Sequence, residues 1–553
     1  MASIFRVCIT CGIYALSLAC ANVLAPEGGA KDTTPPRLVK SVPAQGSCHF
    51  QSRTVKLFFD KEVIVDQAGG KLTTSPALVV DAASADRLGY TCTSQGKTVQ
   101  ITLAQPLEAD TTYTFHFDGL IKDVTEGNAA ENIQLTFCTG TELDRMSVTG
   151  RVYHLMTGQP AANALVGLRR NPTEIKSLWE RDADYFVRAD KQGNFSLNHV
   201  KSGQYTLYAT NSPSGRSQID PGTDAYCVQQ RIDLREQCLE DVALYLVKAD
   251  VRPLQIQRQG TFGPYFEVKF NKSLAHYTLA VPSLQEGQPP VATLLTDGQT
   301  VRIYNTFGLL EEDSLPVVLT VTDCQKQSYS EEISLRFEEV DLVEKFTCKA
   351  TPASGTALPA DFAVKIAVNS PIRSLRLDKM YFALENGTIV PIKVSDVFVD
   401  EEKNEVSVKK LLSAHVVPTS KTGITLHLDR GAISSIEQTS NEDLSYTYIL
   451  ESPEAFGTIS GHVMIDAPFF IVQLLNTDFE VLREIRDERF YRFECITPGV
   501  YRVRVLALQR GASTWNPGDV LKEQAPDPVW LYPSPVSVAA NWDIENIDFD
   551  AVS

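Results

Sequence analysis

Apolar and polar residues alternate with a period of two, in short runs, from Arg37 almost to the end of the chain. Val55–Phe59 (VKLFF), Thr98–Leu103 (TVQITL), Thr112–Phe117 (TYTFHF) and Ile133–Phe137 (IQLTF) are examples. Later runs include Tyr265–Phe270, Val317–Val321, Phe362–Val368 and Gly423–Leu428. Such a period places every second side chain on one face of a strand. Short strands of this kind, separated by turn residues, predict an all-β chain of antiparallel sandwiches. A helical period is weak; its best candidates are short, at about 174–184 and 407–414. A chain of 553 residues exceeds one hydrophobic core and predicts about four to five domains.

An internal repeat sharpens this. Phe195, Leu197, Val200, Gly203, Tyr205 and Leu207 correspond to Tyr491, Phe493, Ile496, Gly499, Tyr501 and Val503, each pair offset by 296 residues. The same offset carries Asp220-Pro-Gly222 to Asn516-Pro-Gly518. A register held over so many positions marks a true repeat. Its pattern is a glycine turn followed by Tyr and an apolar residue on the inward face of the next strand. The modules are therefore placed at 36–140, 146–248, 249–340, 341–452 and 456–553, the second and last being copies of one unit.

The N-terminus carries a different signal. Val7–Ala19 is apolar or small throughout and follows Arg6, the shape of a secretory h-region. It is too short for a membrane span, which needs about 20 apolar residues. Leu16–Cys20 (LSLAC) looks like a bacterial lipobox, with Ser17 where a Leu is usual. Residues 1–19 are thus expected to be a signal peptide, Cys20 the lipidated first residue, and 20–35 a Pro- and Gly-rich tether. Plain secretion after cleavage is the alternative.

Net charge is −17, which repels phosphate backbones and argues against nucleic acid as a partner. Of 11 Cys, none forms a CxxC pair, and no Cys/His cluster has zinc spacing. No metal or other cofactor is expected. Cys227 and Cys238 share one hairpin region and are the first candidates for a disulfide; buried free thiols are the alternative. The 8 His are scattered, with no HExxH, and there is no GxSxG elbow. No catalytic residue is expected, and the chain reads as a non-enzyme. Gly89–Thr98 has six residues between its glycines where a phosphate loop has four, and reads as a hairpin turn. The acidic clusters Glu311–Asp313, Asp400–Glu402 and Asp543–Asp550 read as solvated loops and a tail. Trp515, Trp530, Tyr532 and Trp542 stand among prolines and turn residues near the C-terminus. They either form an interface or cap the last core.

Thr34–Pro43 (TPPRLVKSVP), Leu57–Asp60 (LFFD) and Phe137–Gly140 (FCTG) resemble a bacterial Ig-like domain of the S-layer-associated kind. Gly150–Val152, Gly158–Pro160, Asp190–Gly193 and Gly203–Tyr205 resemble the transthyretin-like regulatory domain found beside metallocarboxypeptidases. The resemblance is to that accessory domain and brings no zinc ligands. The whole arrangement is similar to an envelope lipoprotein family of the Bacteroidota, through Gly28–Pro36, Lys122–Asn128, Trp515–Asp519 (WNPGD) and Asn541–Asp543. In that family the loop before the Trp is often rich in Asp and Asn; here Gln509–Thr514 carries no carboxylate, so a calcium site is not expected.

Together these features predict a lipoprotein anchored in the outer membrane through N-terminal acyl chains, on the cell-surface or periplasmic side. Its expected role is a binding or scaffolding subunit of an outer-membrane assembly, with a β-barrel or another envelope protein as partner. The alternative is a glycan-binding or adhesive lipoprotein using Trp179, Trp515, Trp530 and Trp542 as sugar platforms.

Overall fold

The structure is a computed structural model that describes residues 32–550 except 77, 79–88, 132, 171–174, 213–216, 283–289, 307, 311–312, 339–343, 402, 413–420 and 513. Cys20 and the residues before Asp32 expected to form a signal peptide and tether lie outside the described residues. The described chain is a series of antiparallel β-sandwiches. It divides into two compact units, one holding residues up to Ser147 with 197–203 and 234–237, the other holding the remainder.

In the first unit, Leu38–Val42, Thr54–Phe59, Thr98–Leu103 and Tyr90–Gln95 form one sheet, adjacent in that order. Lys71–Ser75, Thr112–Asp118 and Gln134–Cys138 form the opposing sheet. The alternation of the sequence is the alternation of burial: Val55, Leu57, Val99, Ile101, Phe115 and Phe137 face one another as the core. A disulfide joins Cys48 to Cys138. Tyr90–Gln95 and Thr98–Leu103 are a hairpin turning at Gly96, whose φ of 57° is in the left-handed region. The start of the described chain is pinned to this module: Lys61 Nζ donates to Asp32 Oδ2 at 2.5 Å, and Asn128 Nδ2 donates to the Asp32 carbonyl at 2.7 Å. Two sequence features far apart, Asp32 and the Lys122–Asn128 segment, thus meet.

The second unit contains four sandwich cores. In the module that begins near Met146, Met146–His154 lies between Asn194–Val200 and a parallel neighbour, Leu239–Leu246. Leu165–Arg170, Tyr185–Arg188, Gln204–Thr210 and Tyr226–Asp233 form the other sheet. The last module repeats this plan: Gly457–Met464 pairs antiparallel with Phe490–Ile496 and parallel with Asp543–Ile544, and Phe469–Leu475 pairs with Gly499–Leu508. The 296-residue offset extends to the backbone. His199 and Cys495 both have positive φ, 59° and 52°. Gly222 N donates to Asp220 Oδ1, and Gly518 N to Asn516 Oδ1, each at 2.9 Å.

Two further sandwiches lie between the copies. One is built on Val268, Phe270, Val301, Ile303, Val317 and Leu319, the other on Val364, Ile366, Phe382, Val406, Leu426 and Tyr448. They are joined to each other by polar contacts. Tyr265 Oη and Ser370 Oγ both donate to the Glu437 carboxylate, at 2.6 and 2.7 Å, and Asn404 Nδ2 donates to Thr293 Oγ1 at 2.7 Å.

The helix expected at 174–184 is a single turn, Ser177–Glu180, with residue 174 outside the described residues. The helix expected at 407–414 is a strand, Glu405–Leu411. There the alternation Val406, Val408, Lys410 faces inward and overrides the weak helical period. Lys410 stays satisfied through Asp396 at 2.6 Å and the Pro391 carbonyl at 2.8 Å.

Candidate binding cleft

The two copies of the repeat are clasped together, and a cleft lies beside the clasp. Its chemistry starts at one repeat position. Tyr208 and Arg504 are equivalent by the 296-residue offset. Each points away from its own sandwich core, on a strand buried along most of its length. In the earlier copy the partner across the ladder is Gly167. A Cβ there would sit 2.7 Å from the Tyr208 ring, so glycine makes room for the phenol. Tyr208 Oη donates to the Ser217 carbonyl at 2.6 Å, and burial raises its pKa. In the later copy the ladder partner is Gln473. Arg504 donates twice to Gln473 Oε1, at 2.9 and 2.5 Å, and its Nη1 reaches the Met156 carbonyl in the earlier copy at 2.7 Å. Gln473 in turn donates to Glu484 at 2.6 Å. Arg504 is 5 % exposed. Burial lowers its pKa and the Glu484 charge opposes that shift.

The WNPGD segment completes the clasp. Trp515 and Val520 pack against a cluster of the earlier copy that includes Leu178, Tyr208, Ile219 and Tyr226. Trp515 Nε1 donates to the Asp527 carbonyl at 2.9 Å. Gln325 of the intervening sandwich donates to the Gly518 carbonyl at 3.1 Å, and Arg231 pairs with Glu523 at 3.5 Å.

Between the 517–526 loop and the strands Tyr226–Asp233 and Leu239–Leu246 lies a cleft of about 560 Å³. Tyr226, Val228, Tyr245, Val247 and Val520 give it an apolar floor, and Arg231, Asp519 and Glu523 stand at its polar edge. Burial raises the pKa of Tyr226, reinforced by Asp519 and Asp250. Burial also raises the Cys227 thiol, against a stabilising hydrogen bond from the Tyr245 N–H.

The residues expected to mark a site are dispersed. Trp530 and Tyr532 pack on the core of the last module, and the Tyr532 ring meets Phe549 at 6.2 Å. Trp515 is the clasp residue described above, and Trp179 packs in the same cluster. Trp542 alone of the four tryptophans is exposed, at 58 %. The disulfide considered for Cys227 and Cys238 is not formed; Cys227 is a free thiol, and the bridge lies at Cys48–Cys138 instead. The two candidate cysteines stand on strands that belong to different sheets or at their connection, which holds them apart. Among the described residues no group of three His, Cys, Asp or Glu is placed to hold a metal ion. Among them no helix is long and apolar enough to cross a membrane. The clasp itself was missed by sequence reasoning. Its signal was present: Phe469–Leu475 (FFIVQLL), apolar except at Gln473, and Val505–Leu508 (VLAL) are apolar runs of the kind that mark strands covered on both faces.

Several solved structures align over much of the chain. The major pilin subunit of Bacillus cereus, BcpA, is 11 % identical over 74 % of this chain and 100 % of its own, with a TM-score of 0.15. The Bacillus anthracis TIE protein is 10 % identical over 95 % and 76 %, with a TM-score of 0.13. Dimeric latent PorU from Porphyromonas gingivalis is 7 % identical over 53 % and 35 %, with a TM-score of 0.21. Superposition at this level carries no functional argument. No curated protein sequence matches the chain. Residues 32–139 match the family model described as a bacterial Ig-like domain, so the first module of this all-β chain is similar to that family.

Proposed function

We propose that the chain is a non-enzymatic binding and scaffolding protein of the bacterial envelope, anchored in the outer membrane through acyl chains on Cys20. Its partner is another envelope protein, of the kind assembled into or around a β-barrel. The two repeat copies are transthyretin-like modules, and the whole belongs with Bacteroidota envelope lipoproteins. The observation that carries the reading is the clasp: it holds the two copies in contact and leaves a broad, partly apolar cleft beside them. The Cys48–Cys138 disulfide supports an exported location, because disulfides persist in oxidising compartments. The match to a bacterial Ig-like domain supports a binding role.

Two experiments test this. Metabolic labelling with alkynyl palmitate is expected to mark the wild-type chain and to spare Cys20→Ala; equal labelling of both removes the anchor from the reading. Native electrophoresis of gently solubilised membranes is expected to show the chain in a species well above its 61.0 kDa mass. Migration as a monomer counts against a stable partner.

The glycan reading retains one supporting observation, the exposed ring of Trp542. Sugar binding on a glycan array that is lost in Trp542→Ala would favour it over a protein partner.

A further inference from the structure

We propose that the cleft beside the clasp is a strand acceptor, which takes an extended, basic peptide segment of the partner by main-chain pairing. This deepens the scaffolding reading and rests on it. The argument begins with a ladder that starts and stops. Tyr226 N–H donates to the Val247 carbonyl at 2.9 Å, and Val247 N–H returns a bond to the Tyr226 carbonyl at 3.1 Å. In a regular antiparallel pair the next such exchange falls two residues on, between Val228 and Tyr245. It is not made. No ladder pairs the two strands beyond that point, and Tyr226–Val247 is an isolated bridge. Beyond it the two strands part, Tyr226–Asp233 staying in the four-stranded sheet and Leu239–Leu246 in the three-stranded one.

The consequence is directional. Residues two apart on a strand point their N–H and C=O the same way. Tyr226 directs these groups away from Gln204–Thr210, so Val228 does too, toward the cleft it lines. Tyr226–Asp233 is the edge strand of its sheet, the geometry that accepts an added strand. The 517–526 loop forms the far wall of the cleft.

Charge selects the occupant. Asp519 and Glu523 stand in the cleft wall, and Glu240 and Asp241 are exposed on the flanking strand Leu239–Leu246. Against these four carboxylates stand Arg231 and Lys522, each already facing an acid, Glu523 and Asp519. The excess is negative. An extended segment with apolar residues facing the Tyr226–Val247 floor and Lys or Arg on the alternate face matches both the period and the charge.

The probe is a synthetic capped peptide of alternating Lys and Val, titrated against the full chain by fluorescence anisotropy and by hydrogen exchange. Saturable binding is expected, with added protection at residues 226–231 and with affinity falling as salt rises. An alternating Glu and Val peptide is expected not to bind. N-methylation of the peptide's central amides is expected to weaken binding by at least about tenfold, through lost main-chain bonds. This arm leaves the protein unaltered. Val228→Pro removes the outward N–H at an edge position where proline is tolerated, and is expected to weaken binding similarly. Equal binding of the N-methylated peptide, or of the Glu and Val peptide, overturns the proposal, as does no binding of the Lys and Val peptide. If the peptide fails while membranes still yield a stoichiometric partner, the strand acceptor falls and the scaffolding reading stands. If both fail, the scaffolding reading falls with it.

Discussion

Arg504 Nη1 donates to the carbonyl of Met156 at 2.7 Å, joining positions 348 residues apart. The same guanidinium is held by Gln473, so one buried cation ties a strand of the last module to a turn of its earlier copy. Truncation leaves the Gln473 and Met156 oxygens without their charged donor. Arg504→Met is expected to destabilise the second unit by about 2–4 kcal/mol. Arg502→Ala, which loses a half-buried side chain beside Phe479, is expected to change it by less than about 1 kcal/mol. Urea unfolding followed by tryptophan fluorescence checks both.

Gly150 and Gly461 occupy matching places in the two copies, where a neighbouring strand passes close. A Cβ at Gly150 would lie 2.1 Å from the Val242 carbonyl oxygen, and one at Gly461 would lie 2.0 Å from that of Ile547. These contacts are with backbone, so the strands must separate. Gly150→Ala and Gly461→Ala are each expected to lower stability by about 1–3 kcal/mol. Gly260→Ala, with open space around it, is the control, and thermal unfolding of the three variants is the measurement.

Tyr491 shows where the copies diverge. Its hydroxyl donates to the Ile547 carbonyl at 2.5 Å inside the core, while the equivalent residue, Phe195, has no hydroxyl. Tyr491→Phe is expected to cost about 1 kcal/mol, the net worth of a buried neutral hydrogen bond. Chemical denaturation at neutral pH reads it.

The Cys48–Cys138 bridge closes a loop of 90 residues in the first unit. Loop-closure entropy puts its contribution at about 4.6 kcal/mol. Reduction, or Cys48→Ser, is expected to lower the melting temperature of the first sandwich while leaving unfolding of the second unit where it was.

Asp32 offers a pH test. The Lys61 ammonium, with the Thr34 N–H, holds its carboxyl down at about 2. A carboxyl depressed in the folded state contributes above its ordinary pKa and loses that contribution as pH falls through the folded value. The Lys61 contact should therefore survive at pH 4 and dissolve as pH drops through about 2. An NMR titration of the Asp32 carboxyl is expected to give that midpoint, and Lys61→Ala is expected to move it up toward 3.8.

The sandwich class was legible because burial follows the period of two, as at Val55, Leu57 and Val99. The repeat was legible because glycine turns and inward tyrosines hold their spacing. Arg504 was not. Alternation places it outward, where a charge reads as solvated, and only the apolar runs beside it, Phe469–Leu475 and Val505–Leu508, point to a second covered face. Trp515 was flagged by its motif, but its partners Leu178 and Tyr208 lie some 300 residues away. The strand at 405–411 was misread because Lys409, Lys410 and Leu411 blur the period near its end. The disulfide was misassigned because proximity in sequence is no guide to which thiols a sandwich brings together.

The central claim, that the chain scaffolds another envelope protein from a lipid anchor, is tested most directly by affinity isolation from gently solubilised outer membranes. A C-terminally tagged wild-type chain and Cys20→Ala would be compared. The account predicts a stoichiometric protein partner with the wild type and its loss with Cys20→Ala. Recovery of the wild-type chain alone would contradict it.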